Sequence, residues 1–137
     1  MPTWEVTAGD TAAGGAYSTA TRFNAIAGRM AVESSEATAQ AKVYTNYTWT
    51  NLYVRCKTWA DNNVTVRSRV NGGFGNLIVT ITGTGVFQDT VNTDSLVDQD
   101  LVCLQYTGVA GAGKNFTIWG STLQDTGTNI TLQLSSG

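Results

Sequence analysis

The sequence predicts an all-β domain: an antiparallel jelly-roll β-sandwich of about eight to ten strands with an extended N-terminal arm. Three observations carry that expectation. The first is alternation. Val64, Val66, Ser68 and Val70 share one parity, with Thr65, Arg67 and Arg69 on the other; Leu77, Val79 and Ile81 alternate in the same way with Ile78, Thr80 and Thr82. A period of two over this length marks half-buried strands. The second is punctuation, because short alternating runs are separated by Gly, Asn and Asp clusters, with one proline in the chain and no helical repeat. The third is composition. Only 13% of residues are charged, against roughly a quarter in an average globular chain. Thr, Asn, Ser and Gln fill the gap, as suits exposed strand faces better than helices. A jelly roll is preferred because two packed sheets manage the edges of so many strands. An immunoglobulin-like sandwich ranks second, since the two cysteines lack a Trp in the expected register between them.

Taken in order, residues 1–24 read as an arm. A short strand around Trp4-Glu5-Val6-Thr7 precedes an Ala, Gly, Ser and Thr stretch with little to bury, the kind of segment that orders against a partner surface. Trp4 and Tyr17 are its expected anchors. The single globular domain spans 25–137. It starts with a strand at 26–33, followed at 34–40 by a loop or single helical turn too short to be stable alone. Residues 41–47 alternate again. In 49–57, Leu52, Val54 and Cys56 face one way and Tyr53, Arg55 and Lys57 the other. The strongest local signal follows, a hairpin whose link Asn71-Gly72-Gly73-Phe74-Gly75-Asn76 carries residues that tolerate positive φ. Beyond it, Asp89 to Ser95 has loop chemistry, with side chains suited to bonding nearby backbone. Further strands are expected at 101–106, 115–119 and 129–134.

Several classes of chemistry are disfavoured. The chain has no histidine, which removes His-dependent triads and His-ligated metal sites. Cys56 and Cys103 match no C-x-x-C pattern and read as buried thiols, with a bridge between neighbouring strands as the alternative. A net charge of −2 with scattered basic residues offers nothing to a nucleic acid. No apolar run is long enough for a membrane-spanning helix, and the opening residues carry neither a basic n-region nor an apolar h-region, so no secretory signal is expected. Asp89, Asp94, Asp98 and Asp100 lie close together in sequence and read as solvated turn residues, with a Ca²⁺ site as the alternative. No catalytic residue, cofactor or resident metal is expected. Four Asn-x-Ser/Thr sequons, at Asn46, Asn63, Asn115 and Asn129, carry little weight in a Thr-rich chain.

Contact surfaces are the better candidates. Arg67 and Arg69 share the outward face of one strand and suit a carboxylate or a partner's acidic loop. Phe74, in the hairpin link, is expected to meet something. Trp49, Trp59, Trp119 and Tyr53, with Phe74, would serve either a subunit interface or a sugar-stacking surface.

Over residues 52–106 the chain resembles small phage-type jelly-roll proteins of the TNF/C1q-like kind, used as capsid decoration or tail-fibre tips. The matching pieces are Leu52-Tyr53-Val54-Arg55, Thr65-Val66-Arg67-Ser68-Arg69-Val70-Asn71-Gly72, Gly85-Val86-Phe87-Gln88-Asp89-Thr90-Val91-Asn92-Thr93-Asp94-Ser95 and Asp98-Gln99-Asp100, the last with Gln99 where the pattern has Gly. The resemblance implies a non-enzymatic, commonly trimeric virion protein, assembled in the host cytoplasm and packing on itself and on other particle proteins. The interface expectations are Trp4, Tyr17, Phe74, Arg67 and Arg69. A carbohydrate-binding or adhesin-type module on the same fold is the alternative.

Overall fold

In the computed structural model the described residues are 3–10, 21–30, 34–58, 63–108, 115–126 and 134–136. They form twelve strands and one helical turn: β1 (Thr3–Asp10), β2 (Arg22–Asn24), β3 (Gly28–Met30), α1 (Glu36–Ala39), β4 (Ala41–Val43), β5 (Tyr47–Thr58), β6 (Val64–Val70), β7 (Gly73–Ile81), β8 (Gly85–Asp89), β9 (Asp94–Leu96), β10 (Leu101–Gly108), β11 (Asn115–Asp125) and β12 (Leu134–Ser136). The first sheet has the order β3-β1-β11-β5-β8, with β9 following β8 along β5; the second has the order β12-β4-β10-β6-β7, with β2 also on β10. Pairing is antiparallel except between β1 and β3. If β8 and β9 are taken as one interrupted strand and the short flanking strands β2, β3 and β12 are set aside, eight principal strands remain. They lie first-eighth-third-sixth in one sheet and second-seventh-fourth-fifth in the other. That interleaving is the jelly roll.

Alternation explains the core. One parity of each strand points between the sheets: Leu52, Val54 and Cys56 from β5, Val64 and Val66 from β6, Leu77, Val79 and Ile81 from β7, and Val102, Leu104 and Tyr106 from β10. Each such aliphatic side chain contributes about 1.5–3 kcal/mol by leaving water. Trp49 and Trp119 are fully buried. Their indole N–H groups, costly to bury alone, donate to Ser121 Oγ at 2.6 Å and to the Ala25 carbonyl at 2.7 Å. Tyr106 meets Trp119 edge-on at 5.9 Å.

The structure corrects the expected N-terminal arm over its first part. β1 pairs along its length with β11, from Thr3 opposite Gln124 to Gly9 opposite Ile118. Val6 and Ala8 enter the core, and Trp4 packs against it. Thr3-Trp4-Glu5-Val6-Thr7-Ala8 alternates weakly, and its partner strand lies at the other end of the chain, out of reach of local pattern reading. The rest of the expected arm at 11–20, Tyr17 included, lies outside the described residues. Of the strand expected at 26–33, β3 takes Gly28–Met30 after a bend that separates it from β2 and buries Ile26, and residues 31–33 lie outside the described residues.

The hairpin link is shorter than its composition suggests. Asn71 and Gly72 both have positive φ, +51° and +79°, as a two-residue type I′ turn requires. β7 therefore resumes at Gly73 and takes Phe74 into the strand, opposite Arg69. Phe74 is on a sheet face and not at a tip. β11 likewise runs through Gly120 to Asp125, well beyond the strand expected at 115–119.

Candidate functional site

The outer face of the second sheet gathers three of the expected interface residues. Phe74 is 57% exposed, yet it stands on a strand with defined neighbours. The guanidinium carbons of Arg67 and Arg69 lie 4.6 and 4.8 Å from its ring centroid, within the range of cation–π attraction. Both arginines are themselves tied down. Arg67 Nε donates to the Gly75 carbonyl at 3.1 Å. Arg69 forks onto Glu36 of α1, Nε to Oε1 and Nη2 to Oε2, each at 3.0 Å, the geometry of a strong bidentate pair. This bond holds the Arg69 pKa above its ordinary value. The same helical turn covers Cys103, whose thiol burial, with the charge of Glu36 adding, pushes up to about 12. Cys56 faces the core of the other sheet, and the two cysteines are not bridged.

Aspartates hold the edge of this face. β7 is the last strand of its sheet, and an unpaired edge invites further strands. Here carboxylates take the place of a neighbour. Asp94 accepts from Ser68 Oγ at 2.5 Å, from Asn76 N at 2.6 Å and from Leu77 N at 3.4 Å. Its partner Ser68 lies at an irregularity in the β6–β7 register between Arg67 and Arg69. A β-carbon on Gly75 would run into both Ser68 Oγ and this carboxylate, so the close approach needs glycine. Asp89 accepts from Ile78 N at 2.9 Å, from Val91 N and Asn92 N at 3.0 Å, and from Asn92 Nδ2 at 2.9 Å. Burial pushes the Asp89 pKa up, but these donors outweigh it and hold it below the ordinary carboxylate value. Asp100 accepts from Val97 N at 2.8 Å and from Asn71 Nδ2 at 2.6 Å, which fastens the hairpin turn to the start of β10.

Asp89, Asp94 and Asp100 are therefore buried structural acceptors and not the solvated turn residues expected; Asp98 alone of the four is exposed. Among the described residues no three His, Cys, Asp or Glu side chains are grouped so as to hold a metal ion. Gln99 adopts φ +75°, so the final turn keeps a glycine-like backbone despite its side chain.

Other sequence expectations are redistributed. Trp4 is half-buried, meets Tyr47 edge-on at 6.2 Å and packs against the core. Trp49 and Trp119 are core residues and cannot form a sugar-stacking platform; Trp59 lies outside the described residues.

Tyr53 remains, and it stands on the outer face of the first sheet. It lies opposite Gly120 of β11 on one side and Gln88 of β8 on the other. A β-carbon at Gly120 would fall 2.5–2.6 Å from the Tyr53 hydroxyl and ring, so the phenol lies across the glycine. Its hydroxyl reaches Glu5 on β1; burial, followed by the charge and hydrogen bond of Glu5, raises its pKa. Beside the ring is an open groove of about 300 Å³ lined by Glu5, Asn51, Tyr53, Gln88, Thr90 and Thr122. Asn51 sits at a bulge in β5 with φ +55° and donates from Nδ2 to Thr122 Oγ1 at 3.4 Å. Sequence reading singled out only Tyr53 of these six. The overlooked signal was Gly120 inside a strand, which marks a bulge or a close approach.

Comparison with protein-family models, with curated proteins and with solved structures returned no match for this chain.

Proposed function

We propose that the chain is a non-enzymatic structural subunit of a virus particle, a phage capsid-decoration or tail-associated protein, that packs on copies of itself and on other particle proteins. The observation that carries this reading is Phe74, a large apolar ring more than half exposed and clasped by Arg67 and Arg69. An aromatic side chain with Arg neighbours is the composition of interface hot spots. Because strand pairing and the two guanidiniums already fix its position, little side-chain freedom is left to lose on binding. Ile78 shares the outward face of β7, and Asp89 binds the backbone of both Ile78 and Val91, which brings two more exposed apolar residues to the same margin.

The capped β7 edge favours packing by side chains over strand addition. The jelly-roll strand order, an architecture used by viral capsid domains, supports the particle setting. Two mass measurements test the reading. Light scattering of the purified protein is expected to give a closed homo-oligomer, with a trimer as the first expectation. Mass spectrometry of purified phage particles from the source is expected to detect the chain in stoichiometric amount. A monomer at all concentrations, or particles that lack the chain, would defeat it.

A further inference from the structure

We propose that the groove beside Tyr53 is a binding site for one neutral sugar ring of a glycan, stacked on Tyr53 and hydrogen-bonded by Asn51, Gln88, Thr90 and Thr122. The site is independent of the Phe74 face and lies on the other sheet.

Three features carry the inference. The first is the ring's posture. Tyr53 lies across Gly120 and reaches Glu5, two strands away. A flat phenol presents the negative face of its quadrupole, and the weakly positive C–H groups of a sugar ring complement that face. The second is the polar set. Two planar amides and two threonine hydroxyls supply both donors and acceptors, which a run of neighbouring sugar hydroxyls needs and an apolar ligand cannot use. The third is strain. Asn51 holds a left-handed backbone inside a strand, at a bulge. Bulges re-aim side chains beside functional sites, and such backbone outliers gather at ligand clamps. A ring laid over a bare strand glycine can serve stability alone; that role requires neither the bulge nor the amides around it.

Charge narrows the ligand. Among the described residues Glu5 is the one charged residue that lines the groove, so a sialic acid or another acidic sugar would meet a like charge there. Neutral hexoses and N-acetylhexosamines fit. A volume at the lower end of ligand pockets matches one ring and a weak intrinsic affinity, which an oligomer presenting several grooves would multiply.

The test uses the full-length protein on an array of neutral and sialylated oligosaccharides, followed by titration with the best neutral saccharide. Binding to neutral glycans is expected. Gln88→Ala should weaken it at least tenfold, and so should Gly120→Ala, which forces a methyl group under the Tyr53 ring. Circular dichroism should show both variants folded, and light scattering should give them the wild-type mass. An array with no neutral-glycan signal, binding to sialylated glycans alone, or unchanged affinity in both variants would overturn the proposal. So would a changed mass for Gln88→Ala, because the groove would then be a subunit contact. Mass and glycan signal are read separately, so failure here is distinguishable from failure of the assembly reading.

Discussion

Phe74 and Tyr53 lie on different outer faces of this sandwich, and their surroundings are opposite. Phe74 is flanked by Arg67 and Arg69 and exposes a wholly apolar surface. Tyr53 leans on Glu5 beside Asn51, Gln88, Thr90 and Thr122. The first arrangement shields no buried polar group and gains from exclusion of water by a complementary surface. The second keeps hydrogen-bonding groups in reach of solvent and suits a ligand that brings hydroxyls of its own. A sheet face is thus assigned a task by what stands beside its aromatic residue more than by the ring itself.

The comparison breaks hardest where the Phe74 face is supported from below. Asp94→Ala would leave Asn76 N and Leu77 N without this acceptor at the β7 edge and Ser68 Oγ with only its 3.4 Å bond to the Leu77 carbonyl. The expected cost is about 3 kcal/mol of unfolding free energy, read by urea denaturation. Gly75→Ala should cost a similar amount, because its methyl group would displace the same carboxylate. The Tyr53 face, built on other strands, should lose its glycan response only when the whole domain unfolds.

Acid gives the next test. The Asp89 pKa is depressed in the fold, so its contribution is fully present above the ordinary carboxylate value near pH 4 and is lost as pH falls through the lower folded value. Urea midpoints measured from pH 7 to pH 2 should drop in the acid range, and Asp89→Asn should flatten that drop while lowering stability at pH 7. A weaker effect concerns Cys103. With its pKa pushed up to about 12, it should resist alkylation at pH 8 in the native protein. Glu36→Gln, which removes a negative neighbour and loosens α1, should speed that labelling several-fold. Smallest of all, Gln99→Gly should stabilise the protein by about 0.5–1 kcal/mol, since glycine adopts φ +75° without steric cost.

The all-β sandwich was legible because period-two alternation survives in β5, β6 and β7, and because Asn71-Gly72 has the chemistry of a type I′ turn. What was not legible depends on partners distant in sequence. Glu36 belongs to a four-residue helical turn, and nothing local says that it will meet Arg69. The aspartates looked like solvated loop residues because no sequence pattern reports which backbone N–H groups an edge strand leaves open. The groove needs Glu5, Tyr53, Gln88 and Thr122 in neighbouring rows across four strands. That alignment exists only once the sheet has closed, so Trp49 and Trp119 were the more visible sugar-stacking candidates and proved to be core.

The most direct measurement is the mass of the Phe74→Ser variant beside that of the wild type, by light scattering over a range of concentrations. Wild-type protein is expected to form an oligomer and Phe74→Ser to remain a folded monomer, or to assemble at least tenfold more weakly. Equal masses for the two proteins, whether both assemble or both stay monomeric, would contradict the assignment of the Phe74 face to assembly.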